Sequence, residues 1–184
     1  LWDDHASVPN PSFPDGPSCY RRLKVFSRDI GALLGERFVC IDLDVVITGD
    51  LRPLWNRPEP FVGWRDPVRK WPYNGSMFML TAGARPDVWE QFDPEVSPLL
   101  SSGAGMRGSD QGWMSYVLGW DEAAWDESDG VISFPRLHAV WSAARCRVAD
   151  AGLRCVAILL PSMPFRRPSR NFSRFVVTSA TAGP

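Results

Sequence analysis

The sequence holds no apolar run approaching the length of a membrane span, and its start shows neither a basic stretch nor an apolar leader segment. Cysteine is scarce. The four residues (Cys19, Cys40, Cys146, Cys155) show no C-x-x-C or other metal-ligand spacing, and histidine is limited to His5 and His138. Two of the cysteines lie in apolar strings, so the set is read as reduced, buried thiols of a cytoplasmic protein. There is no internal repeat. A disordered chain is excluded by composition: 45% of the 184 residues are hydrophobic and 22% charged, enough for one domain with a real core.

Charge is nearly balanced overall, at −1, but it is unevenly placed. Residues 1–135 carry 12 basic and 20 acidic side chains, a balance of 12 − 20 = −8. Residues 136–184 carry eight arginines, no lysine and one acid, Asp150, a balance of 8 − 1 = +7. The division expected is a folded core over 1–135 and an atypical basic tail over 136–184. No aromatic-basic motif stands out in the tail, so nucleic acid is not an expected partner. A frame slip in a GC-rich gene would produce the same composition, and the coding DNA tests that. The chain begins at Leu1 rather than Met, which fits a fragment.

Ser18 is placed to cap a helix whose apolar residues Tyr20, Leu23, Phe26, Ile30, Leu33 and Leu34 recur with helical period until Gly35. The apolar, β-branched run 37–47 predicts a strand covered on both faces, ended by Thr48-Gly49-Asp50. Short strands are predicted at 61–64, 76–80 and 131–134. Helices are predicted from Pro86 to Phe92 and from a Ser109 cap to Gly119, with another around 139–151 and an apolar run at 156–160. Elements alternating at this spacing predict an α/β layer with a mostly parallel sheet.

Within the run 37–47, Asp42 and Asp44 interrupt apolar sequence ("FVCIDLDVVI"). Charged Asp is rarely buried without a partner. In an unbroken strand the two would project to one side about 7 Å apart, with Leu43 pointing into the core. Their mutual repulsion would be relieved by a hard divalent cation, and Mg²⁺ or Mn²⁺ held by one or two carboxylates and substrate phosphates suits the pair. Capping a turn, or pairing with arginine, is the plainer alternative.

The chain then resembles glycosyltransferases of the GT-A type, in particular the retaining family 8 group. Four segments carry the likeness, in the family's order: "YRRLKVF" (20–26), "IDLDVVITGDLRPLW" (41–55), "YNGSMFML" (73–80) and "GSDQGWMSYVLG" (108–119). The second is fairly specific and the others are individually weak; together they cover roughly 18–134. The resemblance implies a Rossmann-like GT-A fold and a Mn²⁺ (or Mg²⁺) ion on Asp44 and Asp42, Asp42 also near the nucleotide ribose. It further implies a nucleotide-sugar donor, with UDP as carrier, and a sugar, lipid or protein acceptor. Arg22 is implied to reach the donor sugar or diphosphate, Asn74 and Gly75 to line the sugar pocket, Asp110 to bond sugar hydroxyls, and Gln111 to lie by the anomeric carbon. Each has a plainer reading: a solvated helix face for Arg22, a turn for Asn74-Gly75, and a helix-dipole preference for Asp110. Of the many tryptophans, Trp71 is the one expected to meet an acceptor.

Two parts of the family pattern are missing. The first strand–helix–strand unit should precede residue 1, and its loss would leave a sheet edge uncovered and open to self-association. The C-terminal segment whose histidine supplies a third metal ligand is also absent, leaving His5 and His138 as the only candidates. An inactive remnant acting as a binding or packing module is therefore the alternative to an active transferase.

Overall fold

The computed structural model describes residues 2–47, 49–65 and 71–133 together with two further strands, Val156–Ile158 and Val176–Ser179. The predicted helix at 139–151 and His138 lie outside the described residues. The expected helix over 18–34 is two pieces. Ser18 accepts a hydrogen bond from the Tyr20 amide and opens a 3-10 helix, Cys19–Phe26. The chain then leaves the helix at Ser27, whose hydroxyl donates to Asp29 at 2.7 Å, a local bond that competes with helical continuation. A single turn, α1 (Gly31–Leu34), follows and ends at Gly35 with φ 87.

The expected strand over 37–47 is also divided. Strand β1 (Arg37–Ile41) and strand β2 (Val45–Ile47) belong to different sheets, and the chain turns between them at Leu43 and Asp44. Leu43 is consequently exposed instead of pointing into the core. After α2 (Arg52–Trp55) come β3 (Phe61–Trp64) and β4 (Asn74–Thr81), the short helices α3 (Asp87–Glu90) and α4 (Ser97–Gly103), and α5 (Asp110–Leu118). Helix α5 matches expectation at both ends. Ser109 accepts from the Gly112 amide, and Gly119, with φ 66, stops the helix. The remaining strands are β5 (Ala123–Trp125), β6 (Val131–Ser133), β7 (Val156–Ile158) and β8 (Val176–Ser179).

The α/β class holds, and the sheets are partly rather than mostly parallel. The larger sheet runs β5-β3-β4-β1-β8 and the smaller β2-β7-β6. Among the described strands, β3 with β5 and β6 with β7 are parallel, while β1–β4, β1–β8, β3–β4 and β2–β7 are antiparallel. The link from β3 to β4 is too short for a helical crossover, so β4 must return antiparallel; α5 is long enough to bring β5 back parallel to β3. The edge beside β1, expected to lie uncovered, is paired by β8, and β7 fills the place between β2 and β6.

Two cores flank the larger sheet. On one face Phe38, Cys40, Phe61, Phe78 and Leu80 pack with Tyr20, Leu23 and Phe26 of the 3-10 helix and with Val88, Phe92 and Trp113. On the other, Val39, Val62, Trp64, Met77 and Met79 pack with Leu54, Trp125 and Val131. Fully burying such side chains stabilises by about 1.5–3 kcal/mol each. Tyr20 also ties the 3-10 helix to the start of α5 by donating to the Gly108 carbonyl. Ser115 of α5 donates to the Tyr73 carbonyl at 2.9 Å and fixes the helix against the entry to β4.

Candidate functional site

Four segments distant in sequence converge where β1 ends. From the buried side of the 3-10 helix, Arg22 sends Nε to Asp110 Oδ2 at 2.6 Å and Nη1 to Asp42 Oδ1 at 2.9 Å; Nη1 also reaches the Gly75 carbonyl at 2.8 Å. Its Nη2 meets the same oxygen of Asp110. The Arg22 and Asp110 side chains are 11% and 6% exposed, so this is a buried ion pair and not a surface decoration. The solvated-face reading of Arg22 is overturned, because the helix turns this residue inward together with Leu23 and Phe26.

Gly75 completes the floor. Its amide donates to Gln111 Oε1 at 3.1 Å. A Cβ there would collide with the Arg22 guanidinium and stand 3.0 Å from the Gln111 Cβ, so only glycine lets the three groups meet. The local ladder is irregular. Register shifts between Gly63 and Trp64, so that Trp64 faces Asn74 where an unbroken pairing would place Met77. Such irregularities re-aim side chains beside functional sites. Asn74 is buried, and its Oδ1 accepts from the Ser76 amide at 2.9 Å, holding the start of β4 where Gly75 sits, in place of the turn expected for Asn-Gly.

One guanidinium serves two carboxylates here, and Asp44 adds a third nearby. If all are ionised, the formal charge of the group is +1 − 3 = −2. Burial would lower the Arg22 pKa, but Asp110 and Asp42 outweigh it and hold the guanidinium charged. Burial pushes the Asp42 carboxyl above the usual carboxylate range, with Asp110 adding to the push, against the pull of Arg22 and a hydrogen bond from the Ser76 side chain. Asp44 is raised too, by burial first and by the charge of Asp42 second.

The expected site residues Arg22, Asp42, Gly75, Asp110 and Gln111 are thus brought into direct contact, with Asn74 beside them and Asp44 at the exposed turn. Asp42 meets the plainer of its two readings, since it pairs with arginine. His5 does not join them. It packs between the rings of Trp89 and Phe92, and no group of three or more metal-binding side chains occurs among the described residues. Trp71 is half-buried, whereas Trp120 is the exposed tryptophan among the described residues, with the Arg65 guanidinium over its ring. Ser76 had drawn no attention as a site residue; a serine one position past Asn-Gly carries no signal until the Asp42 amide is seen bonding to its carbonyl at 2.9 Å.

This architecture is the mixed α/β fold of GT-A glycosyltransferases. A similar solved structure is that of the galactosyltransferase LgtC in complex with donor and acceptor sugar analogs, matched at a TM-score of 0.55 and 16% identity over 90% of this chain and 66% of that one. No family model and no curated protein matches the sequence. At that identity the likeness establishes the fold, and activity has to be argued from the site.

No helix among the described residues is long and apolar enough to cross a membrane.

Proposed function

We propose that this chain is a glycosyltransferase of the family 8 type, moving a sugar from a nucleotide diphosphate sugar, UDP being the carrier, to an acceptor with retention of configuration. The observation that carries the reading is the convergence of Arg22, Asp42, Gly75, Asp110 and Gln111 at the end of β1. Free thiols at Cys19 and Cys40 suit a cytoplasmic site of action.

The donor set suits a hard divalent ion. Asp42 and Asp44 offer two oxygen-bearing side chains, and with Asp110 and Arg22 the cluster has an excess of negative charge. Asp44, at the exposed turn, would hold Mn²⁺ or Mg²⁺ most directly and Asp42 would share it, with diphosphate oxygens completing the shell. When bound, the ion would supply Lewis-acid stabilisation of the departing diphosphate.

The chain's own residues do the rest by position. Arg22, fixed by Asp110 and Asp42, directs a forked cation at the diphosphate end of the donor. Asp110, which meets Arg22 through Oδ2, accepts hydrogen bonds from hydroxyls of the sugar. Gly75, lacking a side chain, lets Arg22 and Gln111 close on the backbone and keeps both in place beside the sugar. Gln111, oriented by the Gly75 amide, sets a carbonyl oxygen beside the anomeric carbon, where positive charge develops as the diphosphate leaves. No strong base is required of it.

Calorimetric titration of UDP into the chain, with and without Mn²⁺, tests this. Binding that requires Mn²⁺ and is lost in Asp44→Ala supports the transferase. The second reading, an inactive remnant serving as a binding or packing module, draws on the engagement of Asp42 with Arg22 and on the lack of a third ligand among the described residues. Absence of UDP binding in both proteins would favour it.

A further inference from the structure

The stretch 2–8 is clasped onto the helix that carries Arg22. The Trp2 indole N–H donates to the Arg21 carbonyl at 2.5 Å, and Arg21 returns two N–H bonds to the Trp2 carbonyl, at 3.1 Å from Nε and 2.5 Å from Nη2. Arg21 also pairs with Asp3 at 2.6 Å, and Lys24 with Asp4 at 3.6 Å. Val8 closes the stretch by entering the core. All of these tie residues 2–8 to positions adjacent to Arg22.

His5 sits at the centre of the clasp in an unusual state. Its ring centroid lies 4.8 Å from that of Trp89 and 4.6 Å from that of Phe92, in an aromatic box. Its φ of 55 places a non-glycine residue in the left-handed region, a conformation that persists only where surrounding contacts hold it. Its Nε2 is buried with no hydrogen-bond partner. A neutral imidazole tolerates this. A protonated one carries an N–H on both nitrogens and would bury a charged donor with no acceptor.

We propose that residues 2–8 form a pH-sensitive clasp, which seats the Arg22 helix while His5 is neutral and opens when His5 is protonated. The charged groups around the ring do not offset its burial. Asp4 on the same segment favours the charged ring, and Lys24 on the 3-10 helix opposes it, with its ammonium 4.7 Å over the Trp89 ring. On α3, Glu90 is engaged by Arg28 at 2.5 Å, and the charge of Asp87 also bears on Arg28. Beyond α3, Asp93 caps the Glu95 and Val96 amides. Burial dominates and lowers the His5 pKa. An opened clasp therefore binds more protons than a closed one. The closed state is favoured above the ordinary histidine value of about 6.5 and loses ground as pH falls below it.

Hydrogen exchange on the full chain at pH 7.5 and 5.5, corrected for intrinsic rates, tests the clasp. Protection of 2–8 should fall by about fivefold or more at the lower pH while β1 and β4 stay unchanged. His5→Phe keeps a ring in the box and removes the titration, so its protection of 2–8 should not depend on pH; Asp3→Asn should leave the pH dependence in place. Unchanged protection in the unmodified chain overturns the proposal, as does an equal pH dependence in His5→Phe. Should that variant lose the clasp at both pH values, an NMR titration of His5 in the unmodified chain decides. A midpoint below about 6.5 supports the clasp, and one at or above it overturns it. None of these readouts involves a sugar donor, so they stand or fall apart from the transferase reading.

Discussion

On the helix-covered face of the larger sheet, Arg22 takes two carboxylates and a carbonyl under cover and each finds a partner, whereas on the opposite side Trp55 and Trp64 bury indole N–H groups that find none. Ser133 beside them buries an unpartnered hydroxyl as well. The second face is held by area: Trp64, Trp125, Met77 and Met79 are at most 1% exposed, and an orphaned N–H costing about 1–3 kcal/mol is tolerated inside so large a contact surface. The Arg22 cluster on the first face has no such latitude. Removing one partner there leaves a charge in low dielectric, which costs more than the pair itself contributes. A cluster that is demanding to build and fully satisfied is what a binding site looks like, while scattered orphans are what an apolar core tolerates.

The comparison breaks first at Arg22. Arg22→Leu should cost about 3–5 kcal/mol in urea unfolding, because Asp110 and Asp42 are left buried together without their cation. If the cost is under about 1 kcal/mol, the pairing does not hold this face. Gly75→Ala comes next: its Cβ must push the guanidinium aside, costing about 1–3 kcal/mol and, on the transferase reading, weakening Mn²⁺-dependent UDP binding by about tenfold or more, read by calorimetry. Trp64→Phe should be milder, at about 1 kcal/mol, since lost contact area is partly offset by relief of the orphaned N–H. A loss equal to that of Arg22→Leu would erase the contrast between the faces.

The smallest expected effect on stability is at Asp44. Its carboxyl is raised in the folded chain, so it contributes stability at pH below the ordinary carboxylate value and loses that contribution as pH rises through the raised value. Asp44→Asn should remove this slope and change stability at neutral pH by no more than about 0.5 kcal/mol, because the turn is exposed and screened. The same substitution should abolish Mn²⁺-dependent UDP binding. A large unfolding penalty with binding retained would make Asp44 structural.

Much of the fold was legible in local signals. Ser109 and Gly119 mark both ends of α5, and short apolar runs bounded by Pro-rich loops and by Thr81-Ala82-Gly83 locate β3 and most of β4. What local pattern misplaced has a common cause. Helical period runs unbroken from Tyr20 to Leu34, yet Ser27 and Asp29 bond to each other and end the helix; the run from Phe38 to Ile47 is apolar but for Asp42 and Asp44, yet the chain turns at Leu43 and Asp44 and sends β2 to a second sheet. Periodicity reports which residues avoid water and says little of which strands they pair with. Hence the direction of pairing, and the seating of β8 on the exposed side of β1, were not legible.

The sequence by itself determined the residues available for chemistry: two aspartates separated by one residue at the end of an apolar strand, an arginine on the helix before it, an Asn-Gly, and an Asp-Gln at a capped helix start. Only the tertiary structure decided that Arg22 faces inward and joins them, that this one arginine is shared between Asp42 and Asp110, and that Gly75 must lack a side chain because Arg22 and Gln111 close on its α-carbon. The reason is that charge is a long-range property and contact a short-range one. Residue types and spacing fix the first, but which charges end up 3 Å apart depends on how elements separated by dozens of residues pack, and no local pattern encodes that packing.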